Sequence, residues 1–269
     1  MAFKKNSEIL ESTLLDNGIL RLNLNNPVNL NALSEHMINL LQKNLDNAAT
    51  DQNVRVIIIS GEGTTFSSGH DLKELKSARE LADDGTKFFK KIMSKCSHMM
   101  KSIINNPKPV IAEIGGPATA AGCQLVASCD LAYASKKAKF ATPGVNIGLF
   151  CSTPMVALSR NLTNKHSMEM LLTGDLISSE KALKIGLIND VVENQNLKSF
   201  VEKQANKISK KSSLTLKIGK EAFYKQIEMT LSEAYDYASS VMVENMLKKD
   251  AKEGIDAFIE KRTPNWQDK

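Results

Sequence analysis

The sequence predicts an α/β fold followed by a helical C-terminal region, and three observations carry that expectation. Strand-like and helix-like segments alternate up to about residue 150. The run VRVIIIS (54–60) is β-branched and continuous, as in a parallel strand covered on both faces. Past Cys151 the strands give way to a succession of helical patterns.

Taken in order, GILRLNLN (18–25) alternates apolar and polar residues and reads as a strand. NNPVNLNAL is a loop of turn residues. Ser34 then caps the helical stretch SEHMINLLQKNLDNAATD. After the strand 54–60, GEGTTFSSGHDLKEL is a Gly- and Ser-rich loop entering a helix, and a long amphipathic helix follows near 85–106. KPVIAEIGG (108–116) is a strand and AAGCQLVASCD (120–130) its helix. DLAYAS and KFATPG read as short strands. Beyond Cys151, HSMEMLLTGD, SSEKALKIGL, NLKSFVEKQANKIS, LTLKIGKEAFYKQI, LSEAYDYASSVMVENMLKK and AKEGIDAFIEKR read as helices that cover a core edge or mediate assembly.

With 269 residues, 42% of them hydrophobic, the chain can bury one large domain or a domain plus an appendage. The net charge of +5 comes from scattered Lys pairs rather than one basic element with interleaved aromatics. That pattern argues against nucleic acid and is compatible with a small phosphate-bearing ligand. The four Cys form no CxxC pair and the four His show no metal spacing, so no metal site is expected. The cysteines suit a reducing compartment. No apolar run approaches the ~20 residues of a membrane span. The N-terminal residues lack a hydrophobic signal core, so a cytoplasmic protein, or a mature form without its presequence, is expected.

Two loops share a design. SSGHD (67–71) follows one predicted strand and AAGCQ (120–124) follows another. Ligands of α/β sheets sit beyond the carboxyl ends of strands. Two loops of small residues there can each aim a backbone N–H at one ligand oxygen, which is an oxyanion hole. The alternative is that the small residues merely allow close packing of strand and helix. Nucleotide readings are weak: GEGTTF has Phe66 where a third Gly would stand, and no GxxxxGK[ST] occurs.

The run KPVIAEIGGPATAAGCQLVASCDLAYASKKAKFATPGVNIGL strongly resembles the core motif of the crotonase, or enoyl-CoA hydratase/isomerase, superfamily. NNPVNLNAL, TTFSSGHDLKEL, LLTGDLISSEKALKIGLINDVV and EGIDAFIEKRTPNW are similar to it too, in order. Within the superfamily, AAGCQLVASCD with FATPGVNIGLFCSTP looks nearest to the subgroup called enoyl-CoA hydratase domain-containing protein 3. The resemblance implies a spiral of β-β-α units over residues 1–200 carrying an acyl-CoA site, and a helical trimerisation region over 201–269. It implies a homotrimer or a dimer of trimers, no cofactor beyond the coenzyme A of the substrate, and a mitochondrial matrix location for a processed eukaryotic form. It places the oxyanion donors at the backbone N–H groups of His70 and Ala121. It places coenzyme A along Val28, Leu30, Ser68, His70, Asp71 and Leu72, with Lys73 near the phosphates. Family members usually carry a small residue at position 70.

The resemblance also shows what is missing. Hydration of a 2-enoyl thioester needs water activated at C3 and a proton delivered at C2, and the family's hydratases use two Glu residues. Their positions here hold Gln124 and Gly144, neither of which exchanges a proton at neutral pH. The candidate substitutes are His70, Glu113 and Cys151, while Asn146 can orient a water but not deprotonate it. Asp130 is expected to cap or pair structurally and Cys123 to lie in the core. Three readings follow: an acyl-CoA enzyme of the hydratase/isomerase type that uses the oxyanion hole for isomerisation, thioester hydrolysis or decarboxylation; a non-catalytic acyl-CoA binder that modulates lipid metabolism; or an orthodox hydratase with carboxylates from elsewhere.

Overall fold

The computed structural model describes residues 3–7 and 9–269, with side chains from residue 9 onward. Strands β1 (Phe3–Ser7), β2 (Leu10–Leu14) and β3 (Ile19–Leu24) form an antiparallel meander at one edge of a sheet. β4 (Val56–Gly61) and β5 (Val110–Ile114) continue from β3 in parallel. A second, smaller sheet begins with β6 (Ala118–Thr119). β7 (Leu131–Ser135) follows β5 in the large sheet, and β8 (Lys139–Ala141) and β9 (Ile177–Ser178) complete the small one. β10 (Asp190–Val192) closes the large sheet in the order β1-β2-β3-β4-β5-β7-β10. No strand is expected from the sequence at β1 or β2: in LESTL the polar residues Glu11, Ser12 and Thr13 are consecutive, so no period-two alternation marks the strand.

Helix α1 (Glu35–Thr50) starts at Ser34, whose Oγ accepts from Met37 N at 3.2 Å. It buries Met37, Ile38, Leu41, Leu45 and Ala48, the spacing of one helical face. α2 (Leu72–Ala78) is short and is capped by Asp71. α3 (Thr86–Ile104) buries Ile92, Cys96, Met99, Met100 and Ile103. α4 (Ala121–Ser128) is buried along its whole length. These helices cover one face of the large sheet, meeting Ile57, Ile59, Val110, Ala112 and Ile114. The other face carries Ile19, Val56, Ile58, Ile111 and Tyr133, which pack with Leu197, Val201 and Ala205. β4 is continuous in its apolar residues because both faces are covered.

The remaining helices are α5 (Ser152–Asn161), α6 (Asn164–Thr173), α7 (Ser179–Lys184), α8 (Leu197–Ser209), α9 (Ser213–Gln226), α10 (Leu231–Met246) and α11 (Lys249–Ile259). The expected division at residue 200 falls inside α8, which lies on the sheet. The exposed helical set begins at α9. No residue of α9 or α10 is buried, and Leu231, Tyr235, Met242, Val243, Met246 and Phe258 are exposed. The chain end is nonetheless tied down. Asp250 accepts from Gln267 N at 2.8 Å and Asp268 N at 3.0 Å, and Trp266 Nε1 donates to Lys210 O at 2.9 Å.

The Glu113 side chain lies on the α8 face. Side chains of a strand alternate between faces, so Glu113 shares its side with Ile111 and not with Ala112. Arg21 Nη2 reaches its Oε1 at 2.7 Å, and Arg21 Nη1 reaches Glu202 Oε1 at 3.3 Å. Glu113 is therefore a nearly buried ion-pair partner separated by the sheet from α4, and it does not substitute for a missing catalytic carboxylate. Removing Glu113 leaves the nearly buried Arg21 charge with only the longer contact to Glu202. Glu113→Ala should lower the unfolding free energy by about 3 kcal/mol in urea titration while leaving ligand binding intact. A loss below about 0.5 kcal/mol would show the pair to be ornamental.

Candidate active site

Three chain segments meet at the N-terminal end of α4. The loop after β4 is held by Asn31, which is fully buried and adopts a left-handed backbone with φ of 51°. Its Nδ2 donates to Glu62 O at 2.9 Å and Thr65 O at 2.7 Å, and its Oδ1 accepts from Asn26 N at 2.8 Å. Ser67 Oγ returns a bond to Asn31 O at 2.9 Å. Sequence reasoning passed over Asn31. Its one legible signal was an Asn among turn residues, the side chain that best tolerates this conformation.

The loop so held lies directly against α4. A Cβ on Gly122 would stand 2.3 Å from Ser67 O, and one on Gly69 would stand 2.9 Å from Ala121 N. Close packing and amide presentation are thus one arrangement, since the close approach sets Gly69 and the following His70 amide beside the Ala121 amide. The planar trans peptide fixes where each N–H points. Gly69 O accepts from Leu33 N at 2.7 Å, so His70 N–H points the opposite way. Ala120 O accepts from Gln124 N at 3.1 Å, so Ala121 N–H points outward from the helix end. Ala120 has φ of 50° and ψ of −120°, a region that suits Gly. Such strain costs about 1–3 kcal/mol and collects at functional sites.

Two polar side chains beside these amides lack partners. Gln124 is 5% exposed and its Oε1 makes no hydrogen bond. Neither ring nitrogen of His70 is bonded. Burial holds the imidazole below its ordinary pKa, opposed by the nearby Leu33 carbonyl, so His70 is neutral at physiological pH. Each orphaned group costs about 1–3 kcal/mol until something pairs with it.

The position expected from the resemblance for a second carboxylate, Gly144, is crowded. Gly144 is the second residue of the turn Pro143–Ile147, and Leu149 N donates to Gly144 O at 2.9 Å. A Cβ there would lie 2.5 Å from Leu149 O and 2.9 Å from Cys151 Sγ. The segment 149–151 thus occupies the space in which a Glu side chain would begin. Burial pushes the Cys151 thiol up, with the Gly144 N–H pulling the other way, so the thiol stays protonated near neutrality. Cys123 lies in the core as expected, its thiol raised to about 12 by burial and by Cys151. Cys151 also precedes an unexpected element, α5, whose Pro154 sits in the first turn where no intrahelical N–H bond is lost.

The residues expected to line coenzyme A come together on the surface. Ser68 N donates to Leu30 O at 3.0 Å, and Lys73 Nζ reaches Asn29 Oδ1 at 3.4 Å. Val28, Leu30, Leu72 and Lys73 are exposed around these contacts. Asp71 is occupied as a cap, its Oδ1 accepting from Lys73 N at 2.8 Å and Glu74 N at 3.4 Å. The amide of Asn146 lies against Gly174 at the end of α6. Asp130 pairs structurally, with Oδ2 accepting from Lys220 Nζ at 2.7 Å and Val110 N at 2.7 Å, and Oδ1 from Tyr224 OH at 3.0 Å. That pair lines a cavity of about 1040 Å³ between α9 and the C-terminal ends of α3, α4 and α5, away from the two amides. Among the described residues, no group of three His, Cys, Asp or Glu side chains is placed to hold a metal ion.

The large sheet with its stacked helices and helical C-terminal region has a crotonase-type fold. Residues 15–269 match the family model described as enoyl-CoA hydratase/isomerase, and the chain belongs to that family. It is 51% identical over 251 residues to the enoyl-CoA hydratase domain-containing protein 3, mitochondrial, of Xenopus laevis, covering 93% of this chain and 84% of that protein. The crystal structure of human enoyl coenzyme A hydratase domain-containing protein 3 matches with a TM-score of 0.91 at 46% identity, over 96% of this chain and 100% of that one. An enoyl-CoA hydratase structure from Mycobacterium smegmatis matches with a TM-score of 0.92 at 42% identity, over 97% and 99% of the two chains.

Two measurements check this geometry. Gly144→Ala should cost about 1–3 kcal/mol, because the Leu149 carbonyl must move. Gly115→Ala, where a Cβ meets nothing within 4 Å, should stay within about 0.5 kcal/mol of the parent. Equal costs would mean that the 149–151 segment yields freely. Thiol alkylation at pH 8 should be slow for Cys96, Cys123 and Cys151 in the folded protein and fast after unfolding, since burial raises all three. Rapid native labelling at Cys151 would contradict a protonated, packed thiol.

Proposed function

We propose that this protein binds acyl-CoA thioesters, with the thioester carbonyl oxygen between the N–H groups of His70 and Ala121, and acts on them by chemistry other than two-carboxylate hydration. The observation that carries the reading is the 2.9 Å approach of the Gly69 Cβ position to Ala121 N, which pairs two outward amides. Such a pair stabilises an enolate or tetrahedral oxyanion, and one donor is worth roughly 3 kcal/mol in a transition state. Isomerisation, thioester hydrolysis and decarboxylation all pass through such an anion. Water activation is disfavoured, because Gln124 has no usable proton and the Gly144 position is filled by Leu149 and Cys151. Coenzyme A lies along Val28, Leu30 and Ser68 to Leu72, with Lys73 serving the phosphates.

The crowding at Gly144 favours a second reading, a non-catalytic acyl-CoA binder that modulates lipid metabolism. Turnover separates the two. We also propose that the exposed apolar residues of α9 to α11 assemble the chain into a trimer or a dimer of trimers. The names of the relatives favour a mitochondrial location over a cytoplasmic one. No helix among the described residues is long and apolar enough to cross a membrane.

Acetoacetyl-CoA at about 100 times its Kd should stabilise the protein by ~2.7 kcal/mol in thermal denaturation, and free fatty acids should not. No shift with any acyl-CoA would remove the binding claim. Crotonyl-CoA hydration should run slower than in a two-carboxylate hydratase by about 10²-fold or more for each missing group. A rate equal to such an enzyme would show that another group transfers the proton. Gln124→Glu is the informative variant, because a Glu at position 144 has no room.

A further inference from the structure

Helix α3 carries five lysines, Lys87, Lys90, Lys91, Lys95 and Lys101, and no Asp or Glu. One side of it is buried and apolar. Along the other, Lys87, Lys90, Lys91, Ser94, His98 and Lys101 form an exposed stripe at helical spacing. With 19 residues the helix runs about 28 Å, so the stripe is one straight basic edge. Glu35 on α1 answers part of this charge, meeting Lys91 Nζ at 2.8 Å and Lys95 Nζ at 2.7 Å. Among the described residues, Lys87, Lys90 and Lys101 have no carboxylate partner. Beside the stripe lies a groove of about 430 Å³ between α1 and α3, lined by Asn39, Gln42, Ser94, Ser97, His98 and Lys101. Gln42 Nε2 donates to Asp46 Oδ1 and Ser102 Oγ, both at 2.8 Å, and its Oε1 is buried without a partner.

A row of exposed lysines beside a groove with hydroxyls and one unpaired acceptor calls for an anion that also brings a donor. A phosphodiester headgroup with a free glycerol hydroxyl has both. We propose that the α3 face docks the protein on the surface of an anionic bilayer, with a glycerophosphate headgroup entering the groove between α1 and α3. Roughly four to eight basic residues on one amphipathic helix are what an anionic leaflet attracts. Lysine is a compact point charge that suits such a surface, whereas nucleic acid favours arginine forks and exposed aromatics for stacking. α3 has no arginine, and Phe88 and Phe89 are half-buried, with Phe88 packed on the core. No helix among the described residues is long and apolar enough to cross a membrane, so the contact is peripheral. This docking goes beyond the acyl-thioester reading and does not depend on what the two amides bind.

Co-sedimentation with vesicles of phosphatidylcholine, alone or with about a third phosphatidylglycerol, tests it. The wild-type chain should pellet with the anionic vesicles and stay in solution with the neutral ones. Each lysine near an anionic surface is worth about fivefold in partitioning, so Lys87→Gln, Lys90→Gln and Lys101→Gln together should weaken it about a hundredfold. Lys198→Gln, Lys203→Gln and Lys207→Gln, exposed on α8, remove the same charge elsewhere and should weaken it far less. Gln42→Leu should lose about fivefold on phosphatidylglycerol vesicles and nothing on phosphatidic acid vesicles, whose headgroup lacks the glycerol. Circular dichroism checks that each variant folds, and the wild-type contrast between the two vesicles stands without them. No wild-type binding to anionic vesicles, or equal losses in the two lysine sets, would overturn the docking. An unchanged Gln42→Leu would remove the headgroup from the groove. Saturable binding of free glycerol 3-phosphate without vesicle binding would overturn the bilayer as its source. Tighter capture of a short RNA than of anionic vesicles would overturn the choice of lipid.

Discussion

The site depends on the closeness of the loop after β4 to the first turn of α4. Gly69, with φ of 89°, and Gly122 leave no room for a side chain between them and the facing backbone. That contact sets the His70 and Ala121 amides side by side. Everything around it serves to hold it. Asn31 bonds to both ends of the 62–65 turn and Ser67 bonds back to Asn31. β6 pairs with β8 and brings Ala141 to accept from Ala120 N at 2.9 Å, which fixes the strained residue that turns the chain into α4.

On the proposed reading, the same closeness lets one scaffold lose a reaction and keep a binding mode. Backbone amides are indifferent to side-chain identity, so the presence of His70 and Ala121 leaves the donors intact. Proton transfer is carried by side chains and is lost with them. Gln124 retains shape and hydrogen bonding but not a proton. At Gly144 the constraint is steric as well as chemical, since segment 149–151 fills the space a side chain would enter. The two positions therefore diverge differently, one remaining a polar contact and the other becoming packed wall.

Much of this was legible in the amino-acid sequence, and the rest was hidden for definable reasons. Local signals located α1, through Ser34 and its apolar spacing, and β4, through its unbroken β-branched run. Period-two patterning says that a strand has two faces but not which one meets α4, so Glu113 stood as a candidate until its pairing with Arg21 was seen. α5 was hidden because Cys, Ser, Thr and Pro at its start read as loop chemistry. The contact of Leu149 with Gly144 spans a tight turn that no periodicity encodes. The loop motifs were readable because small residues are required where backbones touch, but the outward direction of the two amides needed the partners of Gly69 O and Ala120 O.

The central claim is that paired amides, brought together by the Gly69 contact, bind the thioester oxygen. Titrating acetoacetyl-CoA into the wild-type chain and into Gly69→Ala tests it most directly, with circular dichroism as the check that the variant folds. The added methyl pushes against Ala121 N and separates the donors. The account predicts measurable wild-type binding and a loss of affinity of about fivefold to tenfold in a folded Gly69→Ala protein, the scale of one lost hydrogen bond. Unchanged affinity in that variant, or no wild-type binding at all, would contradict it.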